Sequence, residues 1–378
     1  MSKLYIGLMS GTSIDGIDGV LVDFENEKGN ILASTATDYD KETKELLHSL
    51  CSSSDDEIEK AGAARVKLAT FEADTVNNLL KKARISPKDV IAVGSHGQTI
   101  RHRPEKGFSI QLDDGARLAA LTSIDVVCDF RSADIANGGN GAPLTQAFHQ
   151  HQFSLSDRYS MVLNLGGIAN LTLIDKNEGH KVLEAYDTGP ANTLIDAAMR
   201  MLLNKGFDRD GETAKSGKVI PALLAKYLDA PYLKRLPPKS TGREDFSLDF
   251  IKDELLLCTQ DQSFIPDFIA TLTEFTVLSS VNAIRQSMYR HHVDSARLIV
   301  CGGGAYNSYM LEKFTSLLSK NNVEVIKADD LGVDSKLIEA HAFAYFAYMF
   351  VQRKPLPLQD STGAKKNSIL GCLYPSLK

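Results

Sequence analysis

One stretch near the N-terminus, YIGLMSGTSIDGIDGVLVD at residues 5–23, decides the fold. Two apolar runs flank a turn of glycine and hydroxyl residues, and this pattern predicts two strands joined by a tight turn. Gly11 and Gly16 allow the backbone to approach a ligand closely, and successive N–H groups in such a turn form a concavity suited to phosphate oxygens. Thr12 and Ser13 add hydroxyl donors. A single glycine hairpin is commonly no more than a turn, so its meaning depends on whether the pattern recurs.

The pattern recurs twice along the chain. Residues 161–175, MVLNLGGIANLTLID, again place a glycine turn between two apolar strands and end in an aspartate. A third glycine turn, CGGGAYN at residues 301–307, follows an apolar strand and precedes a predicted helix from Ser308 to Lys320. Three glycine turns at strand ends are difficult to explain by packing alone. We therefore predict that the second half of the chain repeats the plan of the first.

Length and composition restrict the class of protein. At 378 residues the chain is longer than one hydrophobic core usually serves, so we expect two domains with a ligand cleft between them. Apolar residues make up 43% of the chain and charged residues 24%, which is typical of a soluble globular protein. The net charge of −6 and the dispersed cations argue against nucleic acid or a membrane surface as the main partner. A small-molecule ligand fits better.

Cysteine usage and the N-terminus indicate the compartment. The five cysteines are far apart and form no CxxC pair, so they predict neither a disulfide framework nor a zinc site. The first residues lead into a strand without the apolar segment of a signal peptide, and no apolar run reaches the length of a membrane span. We therefore expect a cytoplasmic protein.

Two further strand ends carry polar residues that could bind a ligand. The strand at residues 90–93 leads into His96 and Gln98, and the strand at residues 124–130 leads into Arg131 and the glycine-rich loop 137–143. Strand ends of this kind bind ligands in α/β sheets, and the glycine content predicts close approach of the loop backbone to a ligand. Apolar periodicity predicts long helices at residues 56–84, 191–204, 266–290 and 336–353.

The glycine turns together predict a nucleotide-binding fold. The nucleotide cleft of actin, Hsp70 and the sugar kinases has two hairpins that hold the phosphates and a third turn that lies against the adenosine. The three glycine turns of this chain resemble that arrangement. The sequence contains neither GxxxxGK followed by Ser or Thr nor a strand-linked GxGxxG. The predicted fold class is α/β, a two-domain actin-like ATPase fold of the RNase H-like type with an interdomain nucleotide cleft. We expect the first domain at residues 1–130 with the returning segment 354–378, and the second at residues 131–353.

Longer motifs carry a closer resemblance. Between Gly7 and Ala344 the chain resembles the anhydro-N-acetylmuramic acid kinases of bacterial cell-wall recycling in GLMSGTSIDGID, SHGQTIRH, QLDDGARLA, DFRSADIANGGNGAPL, LNLGGIANLT, DTGPAN, PPKSTGRE, CGGGAYN and EAHAFA. The resemblance implies phosphorylation of 1,6-anhydro-N-acetylmuramic acid by ATP with Mg²⁺. It further implies hydrolytic opening of the anhydro ring, giving N-acetylmuramic acid 6-phosphate, and a homodimer.

The implied reaction needs a carboxylate as general base for the water that attacks the anomeric carbon. The family's catalytic aspartate matches Asp187 of DTGPAN, which we expect in a turn that opens the following helix. A helix cap is an alternative role for Asp187. An aspartic-protease triplet is excluded, because the sequence lacks a second triplet and alternates predicted strands with helices.

The resemblance also implies the nucleotide-binding residues. The first turn would bind the β- and γ-phosphates with Gly11, Thr12, Ser13, Ile14, Asp15, Gly16, Ile17 and Asp18. Gly166 and Gly167 would close on the other side, and the adenosine would be flanked by Gly302, Gly303, Gly304 and Asn307. Sugar kinases and Hsp70-like proteins carry a magnesium-anchoring aspartate where this chain has Met9. The metal ligands therefore stay open, with Asp187 or Asp18 as candidates.

Four residues are candidates for binding the sugar. His96 and Gln98 could hydrogen-bond its hydroxyls, and Arg131 could pair with the lactyl carboxylate as a bidentate fork. Glu339 could hold a hydroxyl or the attacking water. Structural alternatives stay open for His96, which could stabilise its own turn, and for Glu339 on a buried helix. We expect surface or helix-cap positions for four other histidines, His149, His151, His291 and His292. Lys239 and Arg243 could contact either phosphate or a dimer partner.

Two other functions remain open at the level of sequence. An ordinary hexose or amino-sugar kinase would use Asp187 to deprotonate a substrate hydroxyl instead of water. An actin-like cytoskeletal or chaperone ATPase would share the superfold, because a fold alone does not define a function. The sequence lacks a C-terminal peptide-binding domain, which argues against a chaperone.

Overall fold

The computed structural model describes residues 3–11, 13–177, 179–242 and 245–377. In chain order the strands are β1 (Leu4–Met9), β2 (Gly16–Asp23), β3 (Asn30–Asp38), β4 (Val90–Ser95), β5 (Gln98–Arg103), β6 (Phe108–Leu112), β7 (Asp125–Cys128), β8 (Tyr159–Leu165), β9 (Ile168–Ile174), β10 (Val182–Pro190), β11 (Ala296–Cys301), β12 (Val323–Lys327) and β13 (Cys372–Tyr374). The α-helices are α1 (Lys41–Leu50), α2 (Glu57–Ala83), α3 (Gly115–Thr122), α4 (Ser132–Ala136), α5 (Thr145–Phe153), α6 (Thr193–Leu203), α7 (Glu212–Ser216), α8 (Pro221–Leu228), α9 (Lys252–Gln260), α10 (Ile265–Arg290), α11 (Ser308–Leu318), α12 (Ile338–Val351) and α13 (Gln359–Thr362).

These elements form two compact units. Unit 1 holds the chain as far as Gln152 and again from Leu337 onward, and unit 2 holds Phe153–Lys336. The chain therefore passes from unit 1 to unit 2 after Gln152 and back to unit 1 after Lys336. The predicted boundaries were at residues 130 and 354. The physical reason for the return is α12, which packs on the strands of unit 1.

The main sheet of unit 1 has the strand order β13-β7-β4-β1-β2-β3. β1 pairs antiparallel with β2 and parallel with β4, β2 pairs antiparallel with β3, and β4 pairs parallel with β7. Alternate apolar residues of β1 (Leu4, Ile6 and Leu8) enter one core with the buried face of α2. The opposite face of β1 carries Gly7, where an added Cβ would overlap the carbonyl of Ala340 on α12.

Unit 2 repeats this plan in its five-stranded sheet, β10-β9-β8-β11-β12. β8 pairs antiparallel with β9 and parallel with β11, β9 pairs antiparallel with β10, and β11 pairs parallel with β12. These pairings match those of the first five strands of the unit 1 sheet one for one. The predicted repetition of the first half's plan is confirmed.

The long helices lie where periodicity predicted them. Bounds of α2, α6, α10 and α12 agree with the predicted helices to within a few residues. Among the residues that the structure describes, the stretch Gln262–Arg290 alone is long and apolar enough to cross a membrane, and 72% of its apolar window is buried inside the protein. It includes α10, whose buried side chains belong to the same hydrophobic core as those of β8, β9 and β10. None of the five cysteines forms a disulfide in the structure.

Candidate functional site

The first glycine turn joins β1 to β2 in unit 1. Ile14 has a φ of 60°, which is rare for a β-branched residue, and its side chain is buried in the core. Gly16 packs against the Thr37 carbonyl of β3, so an added Cβ would have no room. Gly11 faces open space, where the nearest atom to an added Cβ is Ser13 Oγ at 3.8 Å. The start of the turn, rather than Gly16, is therefore open to a ligand; Thr12 lies outside the described residues.

Asp18 lies directly opposite Met9 across the β1–β2 pair. Directly opposed side chains in antiparallel strands project from the same face of the sheet. Asp18 is exposed, and it therefore places a carboxylate beside Met9, which stands where sugar kinases and Hsp70-like proteins carry the magnesium-anchoring aspartate.

His96 is buried at the end of β4, with 5% of its surface exposed. Its Nδ1 lies 3.0 Å from the Ser10 carbonyl oxygen, and its Nε2 lies 2.8 Å from Nη2 of Arg131. Because a guanidinium only donates, Nε2 is the acceptor and Nδ1 carries the proton. Burial, together with the charge of Arg131, lowers the pKa of His96 to about 3, so the ring is neutral. Both ring nitrogens are thus engaged within the protein, and this differs from the expected contact with a sugar hydroxyl.

Gln98 is also buried, and its amide holds the first glycine turn. Nε2 donates to the Gly11 carbonyl at 3.1 Å, and Oε1 accepts from the hydroxyl of Ser10. The Ser10 hydroxyl also lies 2.9 Å from the hydroxyl of Tyr39. Instead of the expected sugar contact, the Gln98 amide binds the backbone of the turn.

Arg131 begins α4 as its N-cap residue, with its guanidinium beside His96. Nη1 donates to the Gly141 carbonyl at 2.6 Å, whereas the buried Nε has no hydrogen-bond partner among the described residues. Burial lowers the pKa of Arg131 to about 10, against the opposing effect of the Glu339 and Asp134 carboxylates. The group remains a cation at neutral pH, and its Nε–H can still donate to a carboxylate.

Glu339 lies in the first turn of α12, within the electrostatic reach of two other candidate residues of unit 1. Burial and the negative charge of Asp18 raise its pKa, and the charge of Arg131 opposes this rise. Glu339 therefore interacts electrostatically with both Asp18 and Arg131.

The glycine-rich loop 137–143 is fastened inside unit 1. An added Cβ at Gly139 would overlap the Asp134 carboxylate, and one at Gly141 would lie 2.7 Å from Ile135. The Gly141 N–H donates to Asp134 Oδ2 at 2.8 Å. These glycines are explained by close packing of the loop on α4, which differs from the predicted approach to a ligand.

Asp187 lies inside β10 of unit 2, paired with Asn170 of β9, and not in a helix-opening turn as predicted. A register shift between Asp187 and Gly189 lets the strand continue through the Thr-Gly-Pro sequence that suggested a turn. Hydrogen bonds from the main chain and the side chain hold Asp187 in place. Its N–H donates to the Lys239 carbonyl at 3.3 Å, its carbonyl accepts from the Tyr232 hydroxyl at 2.6 Å, and its Oδ2 accepts from the Thr241 N–H at 3.0 Å.

Asp187 belongs to a polar row across the unit 2 sheet. The registers place Asp187 opposite Asn170 and Asn170 opposite Asn164, so these side chains share one face. Their neighbours Leu163, Leu165 and Leu171 enter the core on the other face. Sequence reasoning missed the two asparagines, although their alternation with buried leucines was a usable signal. It also missed Tyr232 and Thr241, because no local pattern connects them with Asp187.

The two glycine turns of unit 2 lie side by side, since β8 and β11 are neighbours. Gly302 and Gly304 pack against the end of β8, where an added Cβ would collide with Asn164 or Leu165. Gly303 has open space around it, and Gly166 and Gly167 have only distant neighbours. Asn307 caps α11, its Oδ1 accepting from the Met310 N–H at 3.0 Å. Asn307 thus has a structural role that the sequence did not predict.

Lys239 and Arg243 are the two remaining candidate cations. The Lys239 ammonium lies 4.7 Å from the centre of the Tyr232 ring, and burial lowers its pKa. Arg243 lies outside the described residues.

His291 caps the end of α10 as expected, whereas His149 is buried and not at the surface. Among the described residues, no group of three His, Cys, Asp or Glu side chains could hold a metal ion.

Comparison with known sequences identifies the family. A family model described as anhydro-N-acetylmuramic acid kinase matches residues 3–376. The chain belongs to the anhydro-N-acetylmuramic acid kinase family. It is 42% identical to the anhydro-N-acetylmuramic acid kinase of Shewanella sp. (strain ANA-3) over 97% of each chain. It is 40% identical to the enzyme of that name from Nitrosomonas europaea, over 98% of this chain and 99% of the other.

Solved structures resemble this kinase more remotely. The activator of the 2-hydroxyisocaproyl-CoA dehydratase from Clostridium difficile, with bound ADPNP, shares 13% identity at a TM-score of 0.48, covering 93% of this chain and 96% of that chain. A ROK family glucokinase from Streptomyces griseus, in complex with glucose and AMPPNP, shares 12% identity at a TM-score of 0.41, covering 90% and 97%.

Membership of the anhydro-N-acetylmuramic acid kinase family makes the chain an enzyme that transfers phosphoryl groups. The predicted two-domain actin-like fold is confirmed, since both units carry the same mixed five-stranded plan with helices. The cytoskeletal, chaperone and ordinary sugar-kinase alternatives are not favoured.

Proposed function

We propose that this kinase converts 1,6-anhydro-N-acetylmuramic acid, ATP and water to N-acetylmuramic acid 6-phosphate and ADP. The family match over residues 3–376 carries the proposal. A place in the recycling of cell-wall sugars follows from that substrate, and we place the enzyme in the cytoplasm as a homodimer. Light scattering tests the dimer; the mass of a single chain in solution would contradict it.

Asp187 is the proposed general base. The Thr241 N–H binds one carboxylate oxygen at 3.0 Å and orients the group. The carboxylate would take a proton from water as the water oxygen bonds to the anomeric carbon. The bond from that carbon to O6 then breaks, and O6 takes the γ-phosphoryl group of ATP while ADP leaves.

Arg131 is the proposed group for the lactyl carboxylate of the sugar. Its Nη1 and Nη2 are oriented by Gly141 and His96, and its Nε–H has no partner among the described residues. A guanidinium held in this way presents an edge that matches a carboxylate. Glu339 would hold a sugar hydroxyl or the attacking water, and its raised pKa keeps it protonated, and able to donate, to a higher pH than an ordinary glutamate.

The glycine turns are the proposed contacts for ATP. Backbone N–H groups near Gly11 in unit 1, and at Gly166, Gly167 and Gly303 in unit 2, lie where an added side chain would have space, so phosphate or ribose could approach. Mg²⁺ is usually held by one or two carboxylates with phosphates and waters, and the exposed Asp18 fits that requirement. The bound ion would neutralise charge on the transferred phosphoryl group.

Release of ADP with the anhydro sugar tests the function. We expect turnover with 1,6-anhydro-N-acetylmuramic acid and none with N-acetylglucosamine or without sugar. Asp187→Asn keeps an oxygen that can accept from Thr241, so it should bind ATP normally while kcat falls by about 10²–10⁴-fold. In ¹⁸O-labelled water the label should appear at the anomeric position. Normal turnover by Asp187→Asn would contradict the role of the base, and failure to use the anhydro sugar would contradict the function.

A further inference from the structure

A continuous series of hydrogen bonds connects the C-terminal segment to Arg131 within unit 1. Thr362, at the end of α13, donates from Oγ1 to Asp134 Oδ1 at 2.7 Å. Asp134 Oδ2 accepts from the Gly141 N–H at 2.8 Å, and the Gly141 carbonyl accepts from Arg131 Nη1 at 2.6 Å. Each bond connects a residue to the next, so a change at Thr362 reaches the guanidinium through two intermediates.

The polar groups at the start of this series are shielded from water. Thr362 and Asp134 are each only 2% exposed. A buried carboxylate that loses a hydrogen-bond donor carries the full cost of its desolvation, so Asp134 depends on the Thr362 hydroxyl. The negative charge of Asp134 also acts on the Arg131 cation, whose pKa it holds up against burial.

Backbone bonds fasten the glycine-rich loop to the same segment. The Asn140 N–H donates to the Thr362 carbonyl at 2.9 Å, and the Lys365 N–H donates to the Asn137 carbonyl at 2.9 Å. The Asn137 amide also donates to Ser368 Oγ at 2.8 Å. The segment thus binds the loop on either side of Gly138 and Gly139, and Gly141, next to Asn140, has little freedom to move away from Arg131.

We propose that the C-terminal segment 359–368 is a positioning element for the sugar acid. Through Asp134 and Gly141 it holds the Arg131 guanidinium so that its Nε edge faces the substrate carboxylate. Thr362 and Asp134 are positioning residues, since both are buried and act through Arg131. The identity of the carboxylate rests on the proposed function; the coupling of Thr362 to Arg131 does not.

Thr362→Val tests the proposal, because valine keeps the branched shape and removes the hydroxyl. We expect the KM for the anhydro sugar to rise at least about tenfold, because the substitution removes a hydrogen bond to the charged Asp134 carboxylate. The KM for ATP should stay unchanged, and kcat should change less than twofold. Thr362→Ser restores the hydroxyl and should restore the KM. The matched control is Ser361→Ala, since the buried Ser361 hydroxyl has no partner among the described residues.

A double-mutant cycle with Arg131→Gln distinguishes positioning from general stability. If Thr362 acts through Arg131, then Thr362→Val should have no further effect on sugar KM once Arg131 is replaced. Additive effects, or an unchanged sugar KM in a folded Thr362→Val, would overturn the proposal. A lowered melting temperature with unchanged KM would also overturn it, by assigning Thr362 a structural role alone.

Amide hydrogen exchange provides a readout that does not depend on turnover. In Thr362→Val the backbone of residues 137–143 should exchange faster than in wild type, whereas Ser361→Ala should leave it unchanged. If the wild type does not use the anhydro sugar, the proposed function is wrong, and the exchange rates alone test whether Thr362 is coupled to the loop. Unchanged exchange of residues 137–143 in Thr362→Val would overturn this coupling.

Discussion

His96 shows how burial determines the chemistry of one side chain. An exposed histidine near neutral pH exchanges protons readily, but His96 is held neutral, with its pKa lowered to about 3 by burial and by Arg131. Its protonated Nδ1 binds the Ser10 carbonyl of the first glycine turn, while Nε2 accepts from Arg131. The ring therefore connects the backbone of the turn to the guanidinium, and it does so without a change of charge between pH 5 and 9.

Glu72 is the residue for which we expect the clearest pH dependence of stability. It is 4% exposed on α2, Oε1 accepts from Ser95 Oγ at 2.5 Å, and Oε2 has no partner among the described residues. Burial, with a smaller effect of the Asp113 and Asp114 carboxylates, raises its pKa from 4.5 to about 8. The folded state therefore holds a proton that the unfolded chain releases, and the wild type loses stability as pH rises from 4.5 to 8.

Glu72→Gln should remove this dependence. The difference in unfolding free energy, variant minus wild type, should grow with pH between 5 and 8, with a slope approaching about 1.4 kcal/mol per pH unit. Urea denaturation at several pH values measures it. A difference that stays constant over this range would mean that Glu72 titrates as an ordinary glutamate.

At the level of the element, α12 packs against β1 and β4 with almost no space between the backbones. An added Cβ at Gly94 of β4 would overlap the Phe343 carbonyl and lie 3.0 Å from Ala347 Cβ. Gly7 of β1 meets Ala340 and Ala344 in the same way. This contact places Glu339, in the first turn of α12, near Arg131 and Asp18, so the two glycines serve the site through packing.

Alanine at two glycines should have opposite effects. Gly94→Ala should lower the free energy of unfolding by about 1–3 kcal/mol, because the helix must move away from the strand. Gly62→Ala, on α2 with no atom within 4 Å of the added Cβ, should raise it by about 1 kcal/mol through helix propensity. Chemical denaturation measures both values. Equal effects of the two substitutions would contradict the close contact of α12 with β4.

At the level of the whole molecule, the repeated strand plan places two of the three glycine turns at equivalent positions in the two units. In unit 1 a glycine turn joins β1 to β2 within the order β3-β2-β1-β4-β7, and in unit 2 a glycine turn joins β8 to β9 within the order β10-β9-β8-β11-β12. The third turn follows β11, next to β8 in the sheet of unit 2. Unit 1 has an addition, since the chain returns to it after Lys336 and ends with β13 paired to β7.

A chain that ends at Arg353 should lose order in unit 1 alone. The removed segment contains the buried Leu356, Leu358 and Leu370, together with β13 and the partners of loop 137–143. We expect faster amide hydrogen exchange in β7 and in the loop, and wild-type protection in β8, β9 and β11. Equal loss of protection in both units would contradict this assignment of the returning segment.

The sequence by itself determined the elements and the chemistry that depend on neighbours in the chain. Alternating and helical apolar patterns placed the hairpins and the long helices, because side-chain periodicity is a local property. The glycine motifs indicated both the fold class and the family, and DTGPAN indicated Asp187. The functional roles of the site residues are predictions from the sequence, and the structure adds the contacts that each of these residues makes.

Only the tertiary structure decided the roles that depend on distant partners. Thr362 binds Asp134 across 228 residues, and Arg131 binds His96 across 35, so no local pattern records either bond. For the same reason the loop glycines suggested a ligand, although they pack against Asp134 and Ile135. Asp187 suggested a turn until its pairing with β9 placed it in a strand. A hydrogen bond or a close packing contact depends on distance in space, and folding alone brings these residues together.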